Sequence, residues 1–334
     1  MKKFDYEEIV GHSLIQKKLR QAVATDHVVS AYLLCGSRGI GKKNIMSAFA
    51  AALLCQNPNE GKPCLSCPAC RLLLSGNHPD LIRLELPADK KTIGVELVRE
   101  QLIKEAYIRP FHAGRKVFII EDGELMTAEA QNALLKILEE PPAYAVFLIL
   151  STAPDQLLET VRSRCLKLQL LPLSDSVCRQ YFENLPAEYN DRKELAASFS
   201  QGVIGRGLLM LENEAYYQLY QKTMSQLAAF AESRSALTDF SQFLTQNKEY
   251  IQDIIDFMLI FLRDCLRSKI SEHPKLICTD QKATLQRFLS VYSTGGLVHS
   301  TEALIHFRER LSKNASFTAA VLELLTKMQE ETHG

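Results

Sequence analysis

Four cysteines, Cys55, Cys64, Cys67 and Cys70, fall within sixteen residues, separated by eight, two and two residues. Thiolate sulfur is a soft donor that favours Zn²⁺, and four thiolates close a tetrahedral structural site. Two successive Cys-x2-Cys steps in a tight turn point their sulfurs at one centre, and Pro63 and Pro68 stiffen that turn. An iron–sulfur cluster is the chemical rival, but the segment carries no other redox signature. All four positions are filled, which leaves no place for a reactive water, so the metal is expected to be structural. The other five cysteines, Cys35, Cys165, Cys178, Cys265 and Cys278, are scattered and read as small core residues.

A second group of residues has the types and spacing of a phosphate site. Gly36-Ser37-Arg38-Gly39-Ile40-Gly41-Lys42-Lys43 fits the P-loop pattern up to its last place. There, backbone N–H groups of a glycine-rich turn cradle phosphate oxygens and a lysine, here Lys42, reaches the outer phosphates. The last place should hold Ser or Thr, whose hydroxyl ligates Mg²⁺; Lys43 has no acceptor lone pair. A P-loop ATPase also offers Asp-Glu at the end of a later strand, and here the order is Glu121-Asp122. Each carboxylate is thus wrong for its place by one methylene, and displacements of about 1 Å can cost roughly 100-fold in rate. The expectation is weak or absent ATP binding and little hydrolysis, with a water or Asn44 in place of the missing hydroxyl as the open alternative.

The elements that must hold these groups can be read around them. Residues 7–28 carry apolar positions at helical spacing. Ala31–Cys35 is a short apolar run suited to a buried parallel strand, and an Ala-rich helix follows from Asn44 to Cys55. Further strands are expected over 81–84, 117–120, 145–150 and 166–170, with helices over 93–106 and 127–140, the latter stopped by Pro141-Pro142. Alternating strand and helix means an α/β domain with a mainly parallel sheet. After Pro172 the strand signal disappears. Residues 174–210 read as short helices broken near Gly202, Gly205 and Gly207, and 214–330 as long amphipathic helices. Boundaries are therefore placed near 170 and 212.

The 334 residues are 46% hydrophobic, enough for sizeable cores. Lys+Arg and Asp+Glu are both 39, which argues against a protein that coats DNA by charge alone. No apolar run is long enough to span a membrane, and the N-terminus lacks a secretory pattern, so a reduced, cytoplasmic setting is expected. His12, His27, His112, His299 and His306 form no ligand spacing and read as solvated or capping residues.

Several motifs together resemble bacterial DNA polymerase III clamp-loader subunits of the AAA+ class. They are Val10-Gly11-His12, Ala31-Tyr32-Leu33, the phosphate loop, the cysteine spacing, Gly76-x-His78-Pro79-Asp80, Asn132-Ala133-Leu134-Leu135-Lys136-x2-Glu139-Glu140-Pro141-Pro142 and Ser163-Arg164-Cys165. They run in the family's order over about residues 8–170. The resemblance implies a AAA+ RecA-like domain over 1–170 with the zinc module at 55–70, a helical lid over 171–212 and a helical collar over 213–334. Lys43 and Glu121-Asp122 depart from the motor (gamma/tau) type and resemble the delta-prime, stator type; the motor type is the alternative.

Several further roles are implied by the resemblance alone. Arg164 would be an arginine finger reaching the nucleotide of the next subunit, with Arg162 the nearby rival. Thr152 would occupy a sensor position near a γ-phosphate. Arg206 lies one residue late for the lid arginine. The implied partners are motor subunits and a delta subunit in a five-membered ring, with the sliding clamp and primer–template DNA engaged through the complex at replication forks on the nucleoid.

Overall fold

The computed structural model describes residues 4–112, 114–233, 235–312 and 316–330. The chain divides into two compact units. One takes the chain up to Cys178 together with Gly202–Gly205; the other takes Arg179–Gln201 and the chain from Arg206 onward.

The first unit is built on five strands, β1 (Ala31–Cys35), β2 (Leu81–Leu84), β3 (Lys116–Ile120), β4 (Ala145–Ser151) and β5 (Leu166–Gln169). All pair in parallel, in the order β2-β3-β4-β1-β5. Successive side chains on a strand point to opposite faces, and along β1, β3 and β4 both faces are buried. Tyr32, Leu34, Val117, Ile119, Val146 and Leu148 face a core filled by Ile45, Met46 and Phe49 of helix Lys42–Leu54. Leu33, Cys35, Phe118, Ile120, Phe147 and Ile149 face a second core with Val98, Leu102, Leu134 and Ile137. The central strands therefore read as continuous apolar runs rather than alternating, with buried Lys116 and Ser151 only at the ends of β3 and β4.

Three local expectations change. The first helix occupies Ser13–Ala24 and not the whole of 7–28. Gly11 (φ 74°) and His12 (φ 53°) are in the left-handed region and separate it from a 3₁₀ turn at Tyr6–Glu8. The segment 93–106 is helical from Val95, but Arg99–Ile103 is wound as a π-helix. Gly205 and Gly207 do not break a helix: both lie inside Ile204–Glu212. A Cβ on Gly205 would stand 2.6 Å from the Gly39 carbonyl oxygen, and one on Gly207 would stand 2.4 Å from that of Ala196. Glycine at these points permits close packing. The preceding helix, Lys193–Ser200, ends where two successive left-handed residues follow, Gln201 (φ 46°) as its cap and then Gly202 (φ 88°).

The second unit is helical. Its long members are Glu214–Glu232, Ile251–Ile270 and Thr294–Ser312, each followed in the chain by a shorter helix, Ala236–Gln246, Lys282–Val291 and Phe317–Glu330 respectively. Phe199 and Tyr220 pack on Phe257 with ring centroids 5.7 and 5.4 Å away. Buried Asp264 accepts from the backbone N–H groups of Ile277 and Cys278 at 2.7 and 2.8 Å, closing the turn after Ile270. No helix among the described residues is long and apolar enough to cross a membrane.

Candidate metal centre and phosphate loop

Helix Lys42–Leu54 delivers Cys55 at its C-terminal end. The chain then makes a tight turn in which Asn59 and Lys62 exchange backbone hydrogen bonds of 2.9 and 2.8 Å. Glu60 (φ 48°) and Gly61 (φ 73°) occupy its two left-handed positions, the pattern of a type I′ hairpin. Cys67 caps the short helix Pro68–Leu74, and Pro68 takes the first helical place, where its missing N–H is harmless. Pro68 thus starts a helix, beyond the turn-stiffening role expected from the sequence.

The four sulfurs converge. Those of Cys55, Cys64, Cys67 and Cys70 all lie within 4.8 Å of one another, and Cys64 Sγ is 3.9 Å from Cys70 Sγ. A tetrahedral Zn–S bond length of about 2.3 Å implies sulfur–sulfur separations of about 3.8 Å. The sulfurs also receive backbone N–H groups: Cys64 N–H to Cys55 at 3.3 Å, Cys67 N–H to Cys64 at 3.3 Å, and Cys70 N–H to Cys67 at 3.4 Å. Such donors stabilise thiolate over thiol. Burial works to raise the Cys64 thiol, but the backbone groups of Ser66 and Cys67 outweigh it and bring it down to about 6. Burial pushes Cys55 and Cys70 up. A cluster of thiols that cannot all ionise unaided is suited to a divalent cation that supplies the missing charge. All nine cysteines are free of disulfides, so the donor set fits a metal.

The phosphate loop leaves the carboxyl end of β1, next to the end of β4: the Gly36 N–H donates to Ser151 O at 3.2 Å. Gly39 and Gly41, at φ 83° and 107°, supply the left-handed turns. The Gly205 N–H donates to Gly39 O at 3.1 Å, fixing the loop from outside. Lys42 is 8% exposed, and its ammonium donates to the loop's own carbonyls, Gly36 O at 2.5 Å and Ser37 O at 3.0 Å. Burial lowers its pKa, against the pull of the Glu124 and Asp122 carboxylates.

At the end of β3 the two neighbouring carboxylates part company. Glu121 is buried and forms an ion pair with Lys43 through one oxygen, while Arg83 holds the other at 3.2 Å. Asp122 adopts a left-handed backbone (φ 49°). Thr152 is engaged by Glu124, a residue that no sequence motif singled out: the Glu124 carboxylate accepts from the Thr152 N–H at 2.9 Å and from its hydroxyl. Burial would raise Glu124, but these bonds hold it below the usual carboxylate range. The only sequence signal for Glu124 was its place three residues beyond Glu121.

Arg164 follows helix Glu159–Arg162. Its guanidinium pairs with Glu139 of the Glu-Glu-Pro-Pro stretch and donates to Thr160 O at 2.8 Å. Arg162 points to a different partner, Asp155, at 3.1 Å. Arg206 belongs to the helical unit. His12, expected to be solvated or capping, makes no cap bond; its ring nitrogen meets the phosphate-loop carbonyl of Ile40 at 3.2 Å.

A parallel sheet with a glycine loop after one strand, a lysine opening the next helix and carboxylates at a later strand end defines the P-loop class. Likeness to known proteins narrows that class. Residues 11–174 match the family described as DNA polymerase III, delta subunit, and residues 214–329 the one described as DNA polymerase III, delta subunit, C terminal. DNA polymerase III subunit delta' of Yersinia pestis is 30% identical over 84% of this chain and 83% of its own length. The delta' subunit of Pseudomonas aeruginosa is 44% identical over 43% of each chain. DNA polymerase III subunit tau/gamma of Haemophilus influenzae is 34% identical over 63% of this chain and 30% of its own. The match thus spans less than half the length of these last two relatives. The chain belongs to the delta' subunit family of DNA polymerase III.

Proposed function

We propose that this chain is a stator of a DNA polymerase III clamp loader: it turns over no ATP of its own and presents Arg164 to the nucleotide of a neighbouring motor subunit. The observation that carries this reading is the Lys43–Glu121 ion pair, which joins the two positions, loop end and strand end, where the P-loop pattern calls for Mg²⁺ ligands. Beside that defect, the Ser163-Arg164-Cys165 corner remains, with Arg164 on the surface and its side chain one-third exposed. Glu139 holds that guanidinium in place without burying it, so a phosphate could take over the pairing. A guanidinium spreads positive charge over the charge that develops on a transferring phosphoryl group.

In this reading residues 1–170 form the AAA+ domain, 171–212 the lid and 213–334 the collar through which the ring assembles. Motor (gamma/tau) and delta subunits are the ring partners, and the sliding clamp and primer–template DNA are engaged through the assembled complex. Cys55, Cys64, Cys67 and Cys70 hold one Zn²⁺, which supplies a structural cross-link and no chemistry. Any nucleotide contact falls to Gly36, Gly39, Gly41, Lys42 and Lys43, with Thr152 and Glu124 at the rim. The likeness to a tau/gamma subunit is what favours the rival reading as a motor; Lys43 stands against it.

The test reconstitutes the chain with its motor and delta subunits. Arg164→Ala should lower DNA-stimulated ATP turnover by at least about tenfold, a floor set below the roughly 10³–10⁵ that an arginine finger supplies where measured, with assembly intact. Unchanged turnover sinks the finger role. Robust Mg²⁺-dependent turnover by the purified chain alone, abolished by Lys42→Ala, sinks the stator reading.

A further inference from the structure

The P-loop class implies a Mg²⁺ held by the position after the loop lysine and by the first carboxylate at the strand end. The residues present do not fit that ion. Mg²⁺ demands oxygen ligands in near-octahedral array, and an ammonium offers no lone pair. The Lys43 ammonium instead sits on one oxygen of Glu121. The other oxygen is held by Arg83 at 3.2 Å, and Arg83 is steadied in turn by the Ser47 hydroxyl at 3.0 Å. Glu121 is only 5% exposed, so the carboxylate that should face a metal is buried, with each oxygen paired to a positive charge from its own chain; the Lys43 side chain reaches it from a largely exposed position. A divalent ion entering here would have to displace one cation and tolerate the other.

Meanwhile the loop has kept what an anion needs. It has glycines at left-handed positions, Lys42 at the helix start, and Lys43 beside it, whose charge adds to the burial that lowers the Lys42 pKa.

We propose that Lys43 is the resident cation of this loop, tethered where the class uses Mg²⁺, so that the site excludes divalent metal and takes a nucleoside polyphosphate as the metal-free anion. Lys43, paired with Glu121, then supplies part of the counter-charge that Mg²⁺ supplies elsewhere, and Lys42 exchanges its loop carbonyls for phosphate oxygens. The ligand differs in charge and protonation from the Mg²⁺–nucleotide complex a motor uses. Binding is uncoupled from turnover because nothing bridges the outer phosphates to an attacking water. This inference rests on the reading of the loop as a nucleotide site without turnover.

The experiment is a titration of the full-length chain with a fluorescent ATP analogue, in magnesium-free buffer and again with Mg²⁺ in excess. No strong chelator is used, so that the cysteine cluster keeps its metal. Wild-type affinity should agree within about twofold between the two buffers, whereas Lys43→Thr should bind at least about tenfold tighter with Mg²⁺ than without. Lys43→Met, which keeps the length and removes the charge, should weaken magnesium-free binding by about tenfold. Thermal melts of both variants establish that they fold. Wild-type binding that tightens at least about tenfold with Mg²⁺ overturns the inference. So does the absence of binding in both buffers. Either result leaves the stator reading standing, because that reading falls only to ATP turnover by the isolated chain.

Discussion

At the scale of single residues, the structure assigns work to side chains that motifs name without explaining. Asp80 is fully buried and spends both carboxylate oxygens on backbone N–H groups, Phe111 at 2.7 Å and His112 at 2.9 Å. His78 sits beneath it at 5% exposure; its Nδ1 accepts from the Asp80 N–H at 3.1 Å, and its Nε2 is buried without a hydrogen-bond partner. The Gly76-x-His78-Pro79-Asp80 motif is therefore a clamp on the loop before β3, and that loop exposes Tyr107, Ile108 and Phe111. Burial lowers the His78 pKa, Asp80 opposes the shift, and His112 adds to it. The consequence has a definite sign. Above about 6.5, the ordinary histidine value, neither folded nor unfolded chain is protonated at His78. As pH falls below that value the unfolded chain takes up the proton first, so stability falls, by at most about 1.4 kcal/mol per pH unit for each such histidine. His12, also lowered by burial, contributes in the same direction. Melting curves between pH 7.5 and 5 should show the loss, and His78→Asn, which keeps an acceptor near the Nδ1 position, should flatten the slope without abolishing it. An unchanged slope would mean that His78 titrates normally.

Among the elements, the cysteine module is fastened to the first helix through bare backbone. A Cβ on Gly61 would stand 1.9 Å from the Arg20 carbonyl oxygen, and Gly61 is already in the left-handed region. Gly61→Ala should therefore cost well above the roughly 1 kcal/mol of an unfavourable φ alone. It should also speed loss of the bound metal to a competing chelator, measured by colour development. Metal release at the wild-type rate would show that the turn can move away from the helix without disturbing the sulfurs. Such contacts also mark what could be read from the sequence. All five strands fall within a residue or so of their expected places; for β1, β3 and β4 the reason is that a buried parallel strand is a local apolar run, whereas the edge strand β5 exposes three of its four residues. The strand–loop–helix around Lys42 was legible for the same reason, and the cysteine spacing announced a convergence that the sulfur distances bear out. Lys43 and Arg83 meeting on Glu121, Glu124 beside Thr152, and Gly205 against Gly39 were not legible. Each joins residues far apart in the chain, and which of two adjacent carboxylates turns inward depends on the left-handed backbone at Asp122, where no glycine marks the turn.

For the whole molecule, the consequence lies in its division into two units with different kinds of core. The first is a sheet covered on both faces, and the cysteine module hangs from the helix that also carries Lys42. The second is helical, with aromatic packing around Phe257 and no cluster of metal-binding side chains among its described residues. A two-state description is not expected of such a chain, and metal binding that is coupled to folding stabilises only the unit that contains the site. Chain purified under reducing conditions without chelator should carry about one zinc per molecule, the capacity of a single four-thiolate site. Calorimetry should resolve two transitions. Stripping the metal should lower one by at least about 5 °C, as a loss of a few kcal/mol does in a unit of this size, and leave the other in place. Lys43→Thr, at the other end of the same helix, should not alter the zinc content. Near-zero zinc would remove the metal from the fold. Two transitions that fall together on stripping would mean that the cysteine module holds both units, and that the helical unit depends on a site its own sequence does not contain.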